Sequence, residues 1–178
     1  MKTVQLLFIA IALVVLPSQT NKSDLSGTRN ASRKILSQEE KEERNKQIAL
    51  ASVKAVSSGD VENACKDLAP DVINYGNGNI PPVQGIDKVK AGMSMFVGAI
   101  PIDKTENLVA IADGDWVMVW GEWSGTWKGD MMGQKATGKP FRKKDVEIFR
   151  FNNDGKISEH HSVQSFCEVA RQIGMKMP

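Results

Sequence analysis

Four segments rich in β-branched and aromatic residues, 108–112, 116–127, 142–151 and 156–164, are separated by turn chemistry: Asp113-Gly114, a stretch holding Gly129, Gly133 and Gly138, and Asp154-Gly155. Asp-Gly pairs accept the positive φ angles of tight hairpin turns, so strands joined by them fold back antiparallel. From residue 105 onward the chain is therefore constrained to a β-meander. Its apolar positions must be covered by whatever precedes it.

What precedes it is helical. Ser37 followed by Glu40 is a capping box and predicts the start of a first helix. Glu40/Arg44 and Glu42/Lys46 are i,i+4 ion pairs in its first turns, which are expected to face water, and Ile48, Ala49, Val53 and Val56 form its apolar stripe. Gly59 ends it. Asp60 caps a second short helix over residues 61–68, closed by Pro70. Residues 72–75 read as a strand and residues 76–82 as a turn-rich loop. A third helix follows Gly85, with Asp87 as cap, Val89, Met93, Phe96 and Val97 on one face, and Pro101 as its limit. Phe166, Val169, Ala170 and Ile173 make a closing amphipathic turn that stops at Gly174. Helices first and a meander afterwards define an α+β domain: three N-terminal helices packed on one face of a curved antiparallel sheet.

At 178 residues the chain holds one ordinary domain with a real core. Its net charge of +2 and its one short basic run, Lys139, Arg142, Lys143 and Lys144, read as a solvated strand flank and argue against nucleic acid as a partner. Residues 1–20 read as a secretory signal peptide: Lys2, an apolar run over residues 4–16 broken by Gln5, then Pro17, Ser18 and Thr20 at cleavage spacing. Thirteen helical residues rise about 20 Å, short of the roughly 30 Å hydrocarbon core, so membrane attachment is expected only if the segment stays uncleaved. A secreted or periplasmic location follows, with residues 21–36 as a polar disordered spacer and residues 37–178 as the folded domain. In an oxidising compartment Cys65 and Cys167 either pair or remain small thiols.

Two segments carry a family likeness. Ser124-Gly-Thr-Trp-Lys-Gly-Asp-Met-Met-Gly-Gln-Lys-Ala-Thr-Gly-Lys139 and Val146-Glu-Ile-Phe-Arg-Phe-Asn-Asn-Asp-Gly-Lys-Ile-Ser-Glu-His-His-Ser162 resemble the SnoaL-like polyketide cyclases, of the nuclear transport factor 2-like cone-fold superfamily. Those proteins read G-T-H-x-G-E-x-x-G-x-x-P-T-G-K and V-D-I-F-R-x-x-D-G-K-I-x-E-H-W-D. The resemblance spans residues 40–178. It implies a cone-shaped barrel whose helices and concave sheet face enclose a pocket, and a homodimer through the exposed sheet face.

Alternation along the strand from Val146 separates Glu147, Phe149 and Phe151 from Val146, Ile148 and Arg150, and does not say which set faces inward. The resemblance puts Glu147 inward, among aromatic neighbours. A carboxylate desolvated there has a raised pKa and suits general acid–base work; the alternative is a carboxylate satisfied by Arg142, Lys143 or a cross-strand group. On the last strand His160 and Ser162 share one face and His161 the other, so the adjacent histidines do not ligate one metal. The motif match places His160 inside as the proton-carrying partner of Glu147. It also makes Tyr75, ahead of Asn74, the hydrogen-bonding group at the pocket mouth. Trp120 and Trp127, with Trp116 and Trp123 on the same long strand, offer a flat apolar ligand wall or, alternatively, an aromatic core and a dimer face.

Three departures weigh on function. Ser162 stands at the acidic position of E-H-W-D, Trp127 replaces the histidine of G-T-H, and Asn152-Asn153 lengthens the turn by one residue. A hydroxyl does not replace a carboxylate base without an activator, which argues against polyketide cyclisation. The expectation is a pocket for a small, largely apolar molecule, with Glu147 and His160 as catalytic groups, Tyr75, Asn74, Phe149, Ser162, Trp120 and Trp127 as substrate contacts, and no cofactor or metal. A non-catalytic dimeric association module is the alternative.

Overall fold

Glycines at positive φ set the sheet's turns: Gly114 (φ 57°) and Gly155 (φ 72°) close the two Asp-Gly hairpins. The computed structural model describes residues 22–78 and 80–177, with side chains from residue 38 onward. Its elements are α1 (Lys22–Ser57), α2 (Val61–Cys65), β1 (Leu68–Gly76), β2 (Val83–Gln84), α3 (Ile86–Ala99), β3 (Ile102–Asp113), β4 (Trp116–Thr126), β5 (Pro140–Phe151), β6 (Ile157–Ser162) and α4 (Phe166–Ile173). Residues from Leu36 onward form one unit, separate from those before it. The apolar run over residues 4–16 lies outside the described residues.

The six strands form one open sheet in the order β2-β1-β6-β5-β4-β3. From β3 to β6 it is the expected antiparallel meander. The sheet as a whole is mixed, because β1 lies parallel to β6. No hairpin joins those two strands, so no local turn fixes their sense; α3 and four strands intervene.

Several boundaries differ from the sequence reading. α1 begins at Lys22, upstream of the Ser37 capping box; residues 22–36 contain no proline to stop it. Its first described side chains do not simply face water. Glu42 Oε1 accepts the Gly114 backbone N–H at 3.0 Å, and a Cβ on Gly155 would meet the Arg44 guanidinium at 2.7 Å, so α1 sits on the tips of both hairpins. α2 stops at Cys65, and Pro70, expected to close it, lies instead in β1 where the β6 ladder is irregular between Leu68 and Ile73. A residue without an N–H fits such a break. The cap of α3 is Gly85 (φ 96°), not Asp87, which occupies the first turn.

Burial alternates strictly at the start of β4: Trp116, Met118 and Trp120 are exposed, whereas Val117 and Val119 are fully buried. The concave face so defined meets Ala49 and Val53 of α1 and Val89 of α3 in one core. A second core gathers Ile100, Trp127, Phe141, Val169 and Ile173, sealing α4 against the sheet. Ser165 caps α4 by accepting the Cys167 N–H at 3.2 Å, a bond whose loss costs about 1 kcal/mol. Cys65 and Cys167 are both free thiols; Cys65 is buried, which pushes its pKa up, and Cys167 is exposed.

Candidate active site

A β-bulge decides which histidine enters the concave face. Phe151 pairs with Ile157 and Phe149 pairs with His160, so between them one residue of β5 opposes two of β6. In an unbulged ladder Glu159 would stand opposite Phe149. The extra residue turns His160 and Ser162 to the side of Phe149 and Glu147, and leaves Glu159 and His161 outside. The long Asn152-Asn153 turn is thus followed by a correction of register within the strand.

The inward groups form a chain of contacts. His160 Nε2 lies 2.9 Å from Glu147 Oε2, and His160 Nδ1 lies 3.0 Å from Asn74 Oδ1. The Asn74 oxygen also accepts the Gly76 N–H at 2.9 Å, which fixes it as an acceptor. Nδ1 must therefore carry a hydrogen. Nε2 then faces a carboxylate oxygen, and that contact needs one proton: two bare lone pairs would repel. Burial pushes the Glu147 carboxyl up, but the hydrogen bond and charge of His160, and then the Lys143 ammonium 3.6 Å from Oε1, outweigh it and hold its pKa below the ordinary carboxylate value. The raised pKa expected from sequence is thereby corrected, because desolvation is opposed by the His160 contact and the Lys143 ammonium.

The pair lies between two chambers. The inner one, about 140 Å³, is walled by Val53, Leu68, Val72, Met93, Trp123 and Phe149. The outer one, about 340 Å³, is lined by Phe96, Phe141, Phe166, Lys143, Ser162 and Gln164 among others. Glu147, His160, Asn74 and Trp123 border both.

Of the residues expected at the site, Glu147, His160, Asn74, Phe149 and Ser162 line this space. Three do not. Tyr75 is on the opposite face of β1, stacked on His161 with ring centroids 4.6 Å apart, since Asn74 takes the inward position beside His160. Trp120 lies on the outer face of β4, 37% exposed. Trp127 is sealed in the second core, 1% exposed, its Nε1 donating to the Gly129 carbonyl at 2.6 Å. Trp127 therefore serves the core; the indole that walls the ligand space is Trp123, 5% exposed, with the Lys143 ammonium 5.3 Å from its ring centroid.

Lys143 and Asp145 were also missed as site residues. Lys143 is not a solvated flank: its side chain is only 19% exposed, and its Nζ sits 2.6 Å from Asp145 Oδ2. Counting back in twos from Glu147 reaches both, a parity signal available in the sequence once Glu147 is taken as inward. Arg142 and Lys144 take the opposite parity and pair with Glu122.

The fold has close counterparts. A candidate polyketide cyclase from Xanthomonas campestris pv. campestris superposes with a TM-score of 0.68 at 18% identity, covering 75% of this chain and 98% of that one. One from Pseudomonas putida gives 0.65 at 20%, covering 72% and 97%. An LEH-like epoxide hydrolase from M. tuberculosis gives 0.57 at 12%, covering 73% and 89%. No curated protein matches. The family model described as SnoaL-like polyketide cyclase matches residues 46–173, most of the folded unit and all three of Asn74, Glu147 and His160, and the chain belongs to that family.

Proposed function

We propose that the two chambers bind a small, largely apolar, oxygen-bearing molecule, and that the Glu147–His160 pair performs cofactor-free proton transfer on it. The observation that carries this reading is the Asn74–His160–Glu147 relay set at the junction of two mostly hydrocarbon-walled chambers. Apolar pockets with a few convergent polar groups are the usual form of small-molecule sites. The proton held between Oε2 and Nε2 is available to a ligand oxygen, and the pair so deprotonated takes a proton from the ligand or from water. That cycle suits lyase, isomerase or hydrolase chemistry. Ser162, at the position where the family carries an acid, argues against aldol cyclisation of a polyketide.

The outer sheet face supports association of two copies. Val109 (51% exposed), Ile111 (66%), Met118 (49%) and Trp120 (37%) lie on adjacent strands β3 and β4, with Val109 directly paired to Trp120 and Ile111 to Met118. A contiguous apolar patch of this kind is a dimer surface rather than a solvated one. Export is supported by the apolar N-terminal run. Among the described residues no helix is long and apolar enough to cross a membrane.

The test is to isolate the protein from its native source, identify the retained molecule by mass spectrometry, and assay its conversion. A retained apolar compound turned over by the wild type and not by Glu147→Gln supports catalysis. Retention with equal fates in both proteins reduces the site to binding, and an empty cavity sinks the ligand reading altogether.

A further inference from the structure

We infer that the inner chamber is a size-selective subsite for a compact, uncharged hydrocarbon group of about six carbons, carried next to the ligand oxygen that meets the relay, and that Met93 sets its limit. This rests on the reading of the two chambers as a ligand site.

The polar groups of the inner chamber are gathered at one end. Asn74, Glu147 and His160 border both chambers, so they stand at the junction. Of the remaining wall only Ser52 is polar, and its hydroxyl donates to the Ala64 carbonyl at 2.9 Å. The rest is hydrocarbon, thioether and indole. A charged or hydroxyl-bearing group pushed past the junction would meet no partner there, at a cost that a hydrocarbon group avoids. The oxygen of the ligand therefore stops at the relay, and what lies beyond it is apolar.

Volume then fixes the size. The chamber holds about 140 Å³. An apolar cavity of about 150 Å³ admits benzene, so a six-membered ring fits and a fused cage does not. The wall does not readily give way. Val53 of α1, Leu68 of β1, Val89 of α3, Trp123 of β4 and Phe149 of β5 belong to one packed core, each keeping only 5–8% of its surface accessible. A close-packed interior shared by five elements resists expansion. Met93 of α3 is the exception: it is partly buried, packs against that core and receives only a soft contact from the Cys65 thiol, Sγ to Sδ 3.9 Å. Its unbranched thioether is the adjustable part of the wall.

The test is solution NMR on the full chain, with Val and Leu methyls labelled and three ketones as probes: tert-butyl methyl ketone, cyclohexyl methyl ketone and adamantyl methyl ketone. The acetyl group is constant and only the hydrocarbon grows. The methyls of Val53, Leu68 and Val89 report the inner chamber alone, and those of Val169 the outer. The cyclohexyl ring is expected to show nuclear Overhauser contacts to the inner methyls, and its ketone to bind about tenfold more tightly than the tert-butyl one, the worth of two further buried methylenes. The adamantyl cage is expected to reach none of the inner methyls in the wild type, and to reach them in Met93→Ala. Should that variant not fold, the wild-type contacts still decide the subsite. A cyclohexyl ring lying against Val169, no gain over tert-butyl, or a cage inside the wild-type inner chamber overturns the subsite and leaves the proposed function standing. A cage still excluded from folded Met93→Ala overturns the role of Met93. No contact from any of the three to either set of methyls, at the limit of solubility, overturns both the subsite and the ligand reading.

Discussion

His160 and His161 are neighbours in sequence and opposites in chemistry. On the concave face His160 has both ring nitrogens in hydrogen-bond contact, with Asn74 and with Glu147. On the outer face His161 is stacked on Tyr75, 6.0 Å from the Trp116 ring, with its buried Nε2 lacking a hydrogen bond and 3.5 Å from Glu159. The same division runs along β5: Lys143, Asp145 and Glu147 form an ionic row inside, while Arg142 and Lys144 clasp Glu122 outside. The strand's two-residue period, reset once by the bulge, sorts identical residue types into a set that lines the chambers and a set on the outer face.

The sharpest way to break this comparison is to exchange the two histidines' roles by mutation. His160→Gln and Glu147→Gln are each expected to lower turnover of the native ligand by about 10²–10⁴-fold, the usual worth of a positioned acid or base, whereas His161→Gln stays within about twofold. Steady-state kinetics on the three variants decides. Equal losses for His160 and His161 would erase the distinction between the faces.

The tryptophans extend the comparison to stability. Trp127→Ala removes the largest fully buried side chain and is expected to cost about 3–5 kcal/mol in urea unfolding. Ile111→Asp combined with Trp120→Asp, on the outer face, is expected to weaken self-association at least about tenfold while leaving the far-ultraviolet circular dichroism spectrum unchanged, read by sedimentation equilibrium. If the wild type is monomeric at all concentrations, the adhesive role of that face falls.

These contrasts explain what the sequence did and did not disclose. The meander was legible because Asp113-Gly114 and Asp154-Gly155 impose local turns, and Glu147 could be paired with His160 once the motif fixed the inward side. The parallel docking of β1 on β6 was not, because no short connection encodes it. The family pattern favours Tyr75 over Asn74, and the residues of β1 do not correct it, because inwardness there depends on a parity that irregularities on both sides, between Leu68 and Ile73 and between Asn74 and Gly76, disturb. Trp127 was misplaced for another reason. It shares the inward parity of Trp123, but it follows the end of β4 and falls under α4, where the second core closes over it.

The smallest expected effect separates the two faces by pH and salt. Glu147 has a folded pKa below its unfolded value, which lies near 4.3. The stabilisation it supplies is therefore fully present above that value, and is lost as pH falls from there through the lowered folded pKa. Glu122, lowered chiefly by its hydrogen bond from Arg142, follows the same sign. The two differ in surroundings: Glu147 is enclosed with His160 and Lys143, whereas the partners of Glu122, Arg142 and Lys144, are 66% and 67% exposed. At about 1 M salt, where the screening length is about 3 Å, the outer cluster loses most of its interaction and the enclosed one keeps more. Urea unfolding of Glu147→Gln and Glu122→Gln against wild type, between neutral pH and pH about 3, is expected to show both differences shrinking with acid. Only the Glu122 difference is expected to shrink with salt at neutral pH. Equal salt sensitivity would mean that water and ions reach the relay as freely as the outer surface, and a site so wet has no means of holding its proton for a ligand.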